Sequence, residues 1–118
     1  MKVRPILFVS DLPAAIRFYE ALGLEVEAQS RSGHWLELRA SGGELGLHGP
    51  VQGQEMRPGM QLGFVTDEPL EEVEQRLRAA GFSPEGRLVD QEWGRSLLVH
   101  GPDGATVQID EQDRELYT

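Results

Sequence analysis

The sequence predicts an α+β fold in which two βαβββ modules form a curved eight-stranded mixed sheet, with helices outside and a concave ligand cup inside. Two observations carry that reading. The stretch "FVSDLP" at Phe8 is echoed by "FVTDEP" at Phe64, and each leads from an apolar run into an amphipathic helix. Gly33, Leu36, Leu38 and Gly43 recur as Gly94, Leu97, Val99 and Gly104, all displaced by the same 61 residues (33 to 94). Self-similarity at a fixed offset marks a duplicated supersecondary unit. The first module takes residues 1–50, the linker 51–58 and the second module 59–118, all within one structural domain.

Each element has a local cause. "ILFV" (Ile6 to Val9) is a run of strand formers, after which Asp11 offers a capping carboxylate and Pro13 suits a first helical turn. Leu12, Ala15, Ile16, Tyr19 and Leu22 recur at three-and-four spacing, and Gly23 supplies a left-handed stop. "LEVEAQ", "HWLELRA" and "ELGLHG" alternate apolar with polar and are parted by Ser/Gly turns, as antiparallel strands with one buried face do. The second module repeats the grammar: "MQLGFV", a cap at Asp67, Pro69, the stripe Leu70, Val73, Leu77 and Ala80, and Gly81 as stop. Early Glu71, Glu72 and Glu74 and late Arg76 and Arg78 suit the helix dipole, and Glu72–Arg76 and Glu74–Arg78 stand one turn apart. "GRLVDQ", "RSLLVHG" and "ATVQID" are the last three strands.

Alternation sorts the strand residues into two faces. Leu7, Val9, Leu36, Leu38, Leu45, Leu47, Leu97, Val99, Val107 and Ile109 belong against the helices. Arg4, Ile6, Phe8, Trp35, Glu37, Arg39, Gly46, His48, Ser96, Leu98, His100, Thr106 and Gln108 then face the cup. That lining is too polar and aromatic for an ordinary core.

Composition narrows the function. A net charge of −9 with dispersed Arg and Lys argues against nucleic acid or an anionic membrane as partner. No apolar run approaches the roughly 20 residues of a membrane span, and no signal-like core follows the N-terminus, so a cytoplasmic protein is expected. Zero cysteines exclude disulfides, thiolate ligands and cysteine nucleophiles. The serines show no nucleophile-elbow signature, and "GPDG" and "SGG" are turns rather than phosphate loops.

With these features in place the chain resembles the vicinal oxygen chelate superfamily, which includes glyoxalase I, bleomycin resistance proteins and extradiol dioxygenases. The carriers are "VSDLPAAIRFYEALGLEV", "GGELGLHGP" and "WGRSLLVHGPDGATVQI", and the resemblance covers essentially the whole chain. It implies that metal-dependent relatives draw His, Gln or Glu ligands from the first and fourth strands of each module. Carried over by position, those ligands fall on Arg4, Gly46, Met60 or Gln61, and Gln108. Arg4 cannot coordinate a cation and Gly46 has no side chain.

No cofactor is therefore expected, and the alternative is a divalent metal held by a shifted set of His48, Gln61 and Gln108, with His100 as a further donor. The expected ligand-binding residues are Phe8, Trp35, Glu37, His48, Met56, Met60, Trp93, His100 and Gln108. Aromatic walls at Trp35 and Trp93 suit a planar ligand, although Trp is usually a packing residue. The two methionines add adaptable contact or serve as linker and strand packing. The reading favoured is a homodimeric binding protein that sequesters an aromatic, antibiotic-like small molecule without metal. A metal-dependent lyase, isomerase or dioxygenase is the alternative, and a metal-free enzyme using Glu37 or His100 as base is the third.

Overall fold

A computed structural model describes residues 1–55, 57–82, 85–91 and 93–112, with the side chains of 85–87 outside the description. Strands β1 (Lys2–Val3) and β2 (Ile6–Phe8) precede helix α1 (Leu12–Ala21), followed by β3 (Glu25–Gln29), β4 (Trp35–Ala40) and β5 (Gly43–His48). The second module runs β6 (Gly59–Val65), α2 (Leu70–Ala79), β7 (Glu85–Gln91), β8 (Gly94–His100) and β9 (Thr106–Gln112). The strand order is β3-β4-β5-β2-β6-β9-β8-β7, with β1 also on β6. With β1 and β2 counted as one line, the sheet is a curled, eight-stranded half-barrel of mixed strands, as expected for two βαβββ modules set side by side.

β1 and β2 are one line in a single register against β6, from Lys2 opposite Val65 to Phe8 opposite Gly59. The break falls at Pro5, which has no N–H to give to the ladder. Arg4 bridges it by donating its backbone N–H to the Gly63 carbonyl (2.8 Å). This antiparallel seam joins the modules within the chain, and parallel pairs β2–β5 and β6–β9 flank it.

The helix-side faces form two apolar clusters. Leu36, Leu38 and Leu47 pack with Leu7, Leu12, Ala15, Ile16, Tyr19, Leu24 and Leu45 under α1. Leu70, Val73, Leu97, Val99 and Ile109 pack with Phe64, Leu77, Leu88 and Val107 under α2. Leu22 does not join the first stripe: the helix ends at Ala21, Leu22 is the C-cap, and its side chain is exposed. Gly23 and Gly81 both take positive φ (108° and 94°), as stops in the left-handed region do.

The caps differ between the modules. Asp11 accepts from the Ala14 N–H (3.0 Å) and starts α1 as expected. Asp67 does not cap α2. Its helix begins two residues later than expected, with Pro69 at the N-cap, and Glu111 from β9 accepts from the Leu70 N–H (3.0 Å). Arg76 leaves Glu72 for a two-armed bridge to Glu68, while Glu74–Arg78 forms at 3.9 Å. The carboxylate of Glu68 meets both ends of the guanidinium fork, a geometry that a helical neighbour one turn away cannot offer as readily.

The "FVSDLP" echo is out of register by one. Ile6 opposite Gly46 and Gly63 opposite Gln108 are the equivalent parallel pairings, so Leu7, not Phe8, corresponds to Phe64. Phe64 packs under α2 whereas Phe8 packs in the cup. A slip of one residue reverses the face of a strand residue, so identical letters here do opposite jobs.

Candidate binding site

The cup is filled at its centre. Arg4, Glu37 and Asp110 are at most 1% exposed, although they come from the β1–β2 line, from β4 and from β9. Arg4 Nη2 donates to Asp110 Oδ2 (2.8 Å), and Arg4 Nη1 lies 3.4 Å from Glu37 Oε2. Gln108 Nε2 donates to Asp110 Oδ1 (2.8 Å), while Trp35 Nε1 (3.0 Å) and the Gln112 amide donate to Glu37 Oε2. Burial pushes the Asp110 carboxyl up, and the Arg4 charge and Gln108 hydrogen bond pull it back only in part. Among the described residues, Arg4 Nε and Nη1 have no hydrogen-bond acceptor.

An aromatic layer closes over this cluster. The Arg4 guanidinium carbon sits 4.9 Å from the centre of the Trp35 ring, at cation–π distance. Trp35 and Trp93 lie 5.4 Å apart at 31°, and both are buried with Ile6, with Phe8 packed alongside. Gly46 makes room for this arrangement: a Cβ there would stand 2.3 Å from Trp35 Cη2. The indole thus occupies the space above the fourth-strand position of module one.

A pocket of 120 Å³ opens at the rim of the aromatic layer, lined by His34, Trp35, His48, Val51, Gln54, Gln91 and Trp93. His48 is set by Phe8 (rings 5.2 Å apart) and by Trp35 (6.4 Å, edge-on), and its Nδ1 lies 2.9 Å from the Gly49 carbonyl. A proton on Nδ1 makes that contact a hydrogen bond and leaves Nε2 as an acceptor. Ser30 braces the β3–β4 turn beneath, its Oγ accepting from the Trp35 N–H (3.2 Å). A wider apolar recess of 430 Å³ lies on the other face, under α2. Among the described residues its one charged side chain, Arg76, is tied to Glu68.

The expected site residues divide accordingly. Phe8, Trp35, Glu37, His48, Trp93 and Gln108 are brought together in and around the cup. Glu37 and Gln108 are engaged inside it rather than presented at the pocket. His100 stands at the far end of β8, exposed, 3.4 Å from Thr106 Oγ1. Met60 is opposite Leu7 and so on the helix-side face, 72% exposed. Met56 lies outside the described residues. Arg39 is on the rim, paired with Glu25 (2.9 Å). His34, Val51, Gln54 and Gln91 were not among the expected residues. Gln91 is legible by alternation, since it pairs with Gly94 at the start of β8, but the turn and linker residues carry no periodic signal.

The donors do not suit a metal ion. His48 and Gln61 stand two strands apart in the sheet, about 10 Å by strand spacing alone. Gln108 is held by Asp110. Among the described residues no three His, Asp or Glu side chains gather as a ligand set. The first-strand position is filled by a guanidinium, which repels a cation.

The family model of the Glyoxalase/Bleomycin resistance protein/Dioxygenase superfamily matches residues 3–109. No curated protein matches the chain. Among solved structures, a glyoxalase/bleomycin resistance protein/dioxygenase superfamily member from Vibrio splendidus 12B01 is 21% identical with a TM-score of 0.64, covering 94% of this chain and 98% of that one. The hypothetical protein BH1468 from Bacillus halodurans C-125 is 14% identical with a TM-score of 0.73, covering 96% and 94%. The 2,3-dioxygenase LapB from Pseudomonas sp. KL28 is 17% identical with a TM-score of 0.63, and this chain covers 40% of it. These likenesses concern the fold. The chain belongs to the Glyoxalase/Bleomycin resistance protein/Dioxygenase superfamily.

Proposed function

We propose that this superfamily member is a metal-independent binding protein that holds the planar, aromatic part of a small molecule at the rim of the cup and releases it unchanged. One observation carries the reading: a pocket walled by Trp35, Trp93 and His48, with Gln54 and Gln91 as amide partners, adjoins a cup whose acid and base groups are already paired with one another. Aromatic walls with a few placed polar groups suit a flat amphipathic ligand. Groups locked in a buried ion network are poorly placed to move a substrate proton.

The volume sets the scale. A pocket of 120 Å³ takes about one ring, against roughly 300 Å³ or more for a drug-sized ligand. An antibiotic-like molecule would seat one ring here and extend across a groove completed by a second copy, which is why we assign a homodimer. The net charge of −9 favours a cationic or neutral ligand over an anionic one.

The test is a tryptophan-fluorescence titration of chelator-treated protein against planar cationic and neutral antibiotics, with mass spectrometry of the recovered ligand. Saturable quenching with the ligand returned intact supports the proposal. Metal-dependent consumption of any of them would replace it with the enzyme reading.

A further inference from the structure

The cup centre holds two carboxylates that belong to different modules and would repel each other without a cation between them. Glu37 and Asp110 are both fully buried, and the guanidinium of Arg4 lies between, 3.4 Å from one and 2.8 Å from the other. Among the described residues three donors, Gln108, Gln112 and Trp35 Nε1, turn to these carboxylates and hold them in place around the guanidinium. The guanidinium itself is under-coordinated, with Nε and Nη1 lacking acceptors among the described residues. An ordinary structural Arg–carboxylate pair is usually a two-armed fork with its donors satisfied. Here the charge fits the site better than the hydrogen-bond geometry does.

We propose that the Arg4 guanidinium is the built-in cation of the cup, seated between Glu37 and Asp110 in place of a metal ion, and that this carboxylate pair accepts a divalent ion once Arg4 gives way to a shorter neutral ligand. The inference rests on the metal-independent reading of the wild-type chain. Histidine at this position ends about 2–3 Å short of the guanidinium, close to a Zn–N bond of about 2.1 Å, so an ion can take the vacated charge position.

The experiment compares the wild type with Arg4→His and with Arg4→His/Asp110→Asn. Each is dialysed against Zn²⁺ or Ni²⁺ and assayed by elemental analysis, calorimetric titration and thermal melting. Arg4→His is expected to take up about one equivalent of metal and to melt several degrees higher with it, as ligand linkage requires. Adding Asp110→Asn should weaken that binding at least tenfold, and the wild type should neither load metal nor shift. Should Arg4→His be unfolded without metal, refolding from denaturant with and without Zn²⁺, followed by near-ultraviolet circular dichroism, reads the same event as metal-dependent recovery. The inference is overturned if Arg4→His takes up no more metal than the wild type and gains no structure from it, or if Asp110→Asn leaves its affinity unchanged. Stoichiometric metal on the wild type would instead overturn the metal-independent function, so the two failures are told apart.

Discussion

Adding one methyl group at Gly46 tests whether the indole of Trp35 is what closes the cup. In Gly46→Ala the new Cβ lies 2.3 Å from Trp35 Cη2, 2.9 Å from Cζ3 and 3.0 Å from Cζ2, so the ring must move as a unit. Moving it breaks the Trp35 Nε1–Glu37 hydrogen bond, a charged and buried one of about 2 kcal/mol. It also disturbs the Trp35–Trp93 pair, about 1 kcal/mol beyond its burial. Overpacking alone costs about 1–3 kcal/mol, and because these contributions overlap the expected net loss is about 3 kcal/mol. For a chain of this length that is about 12 °C in melting temperature. The assay is thermal and urea unfolding with tryptophan emission as one probe, beside Gly59→Ala, where a Cβ meets nothing within 4 Å and stability should hold. Trp35→Phe shortens the ring and removes the clash, so the double variant should be more stable than the two single losses added together, by about 1 kcal/mol or more. A Gly46→Ala protein that melts with the wild type and keeps its emission spectrum would refute the closed-cup geometry.

Three further outcomes follow from the same contacts. Hydrogen bonds from Arg95 hold the Glu71 carboxyl down to about 2 from an ordinary 4.5, and Glu111 is lowered as well. A lowered folded-state value stabilises the protein above the unfolded value and is lost as pH falls, so urea midpoints should drop between about pH 4.5 and 2, less steeply in Arg95→Gln. Asp11→Ala should cost about 1 kcal/mol and Asp67→Ala less than about 0.5 kcal/mol, because only the first side chain caps its helix; chemical denaturation reads both. His48→Ala and Gln54→Ala should weaken ligand quenching by about tenfold each, about 1.4 kcal/mol, while Met60→Ala on the opposite face leaves it unchanged. Equal losses from Met60 and His48 would mean that the pocket has been assigned to the wrong face.

The duplication was legible because it lives in backbone grammar. Two strand–helix–three-strand runs, their glycine stops and their alternating strands are dictated by local periodicity, and alternation put Arg4, Trp35 and Glu37 on the cup face where the structure has them. The same rule, continued two residues past Gln108, adds Asp110 to that face, and with it the partner of Arg4. What periodicity cannot report is whether such a face lines a hollow or fills it, since that depends on how far the sheet curls. The curl here brings residues 106 positions apart into a 2.8 Å contact. The echo misled by one residue for a related reason: pairing fixes register, and identical letters constrain it only weakly. Arg4 shows the consequence. Taken alone, an arginine at a ligand position looks like the loss of a site. Set between Glu37 of one module and Asp110 of the other, with Trp35 laid over it and Trp93 against that, it is a cross-module lock that supplies the positive charge internally. Two contacts of that lock, Arg4–Asp110 and Trp35–Trp93, join one module to the other, so residues that close the cup also fasten the two halves of the chain together. Breaking one of them leaves a buried charge without its partner, which costs far more than the pair itself contributes. On the binding reading proposed above, a ligand would meet its polar partners at the rim, where His48, Gln54 and Gln91 line the pocket.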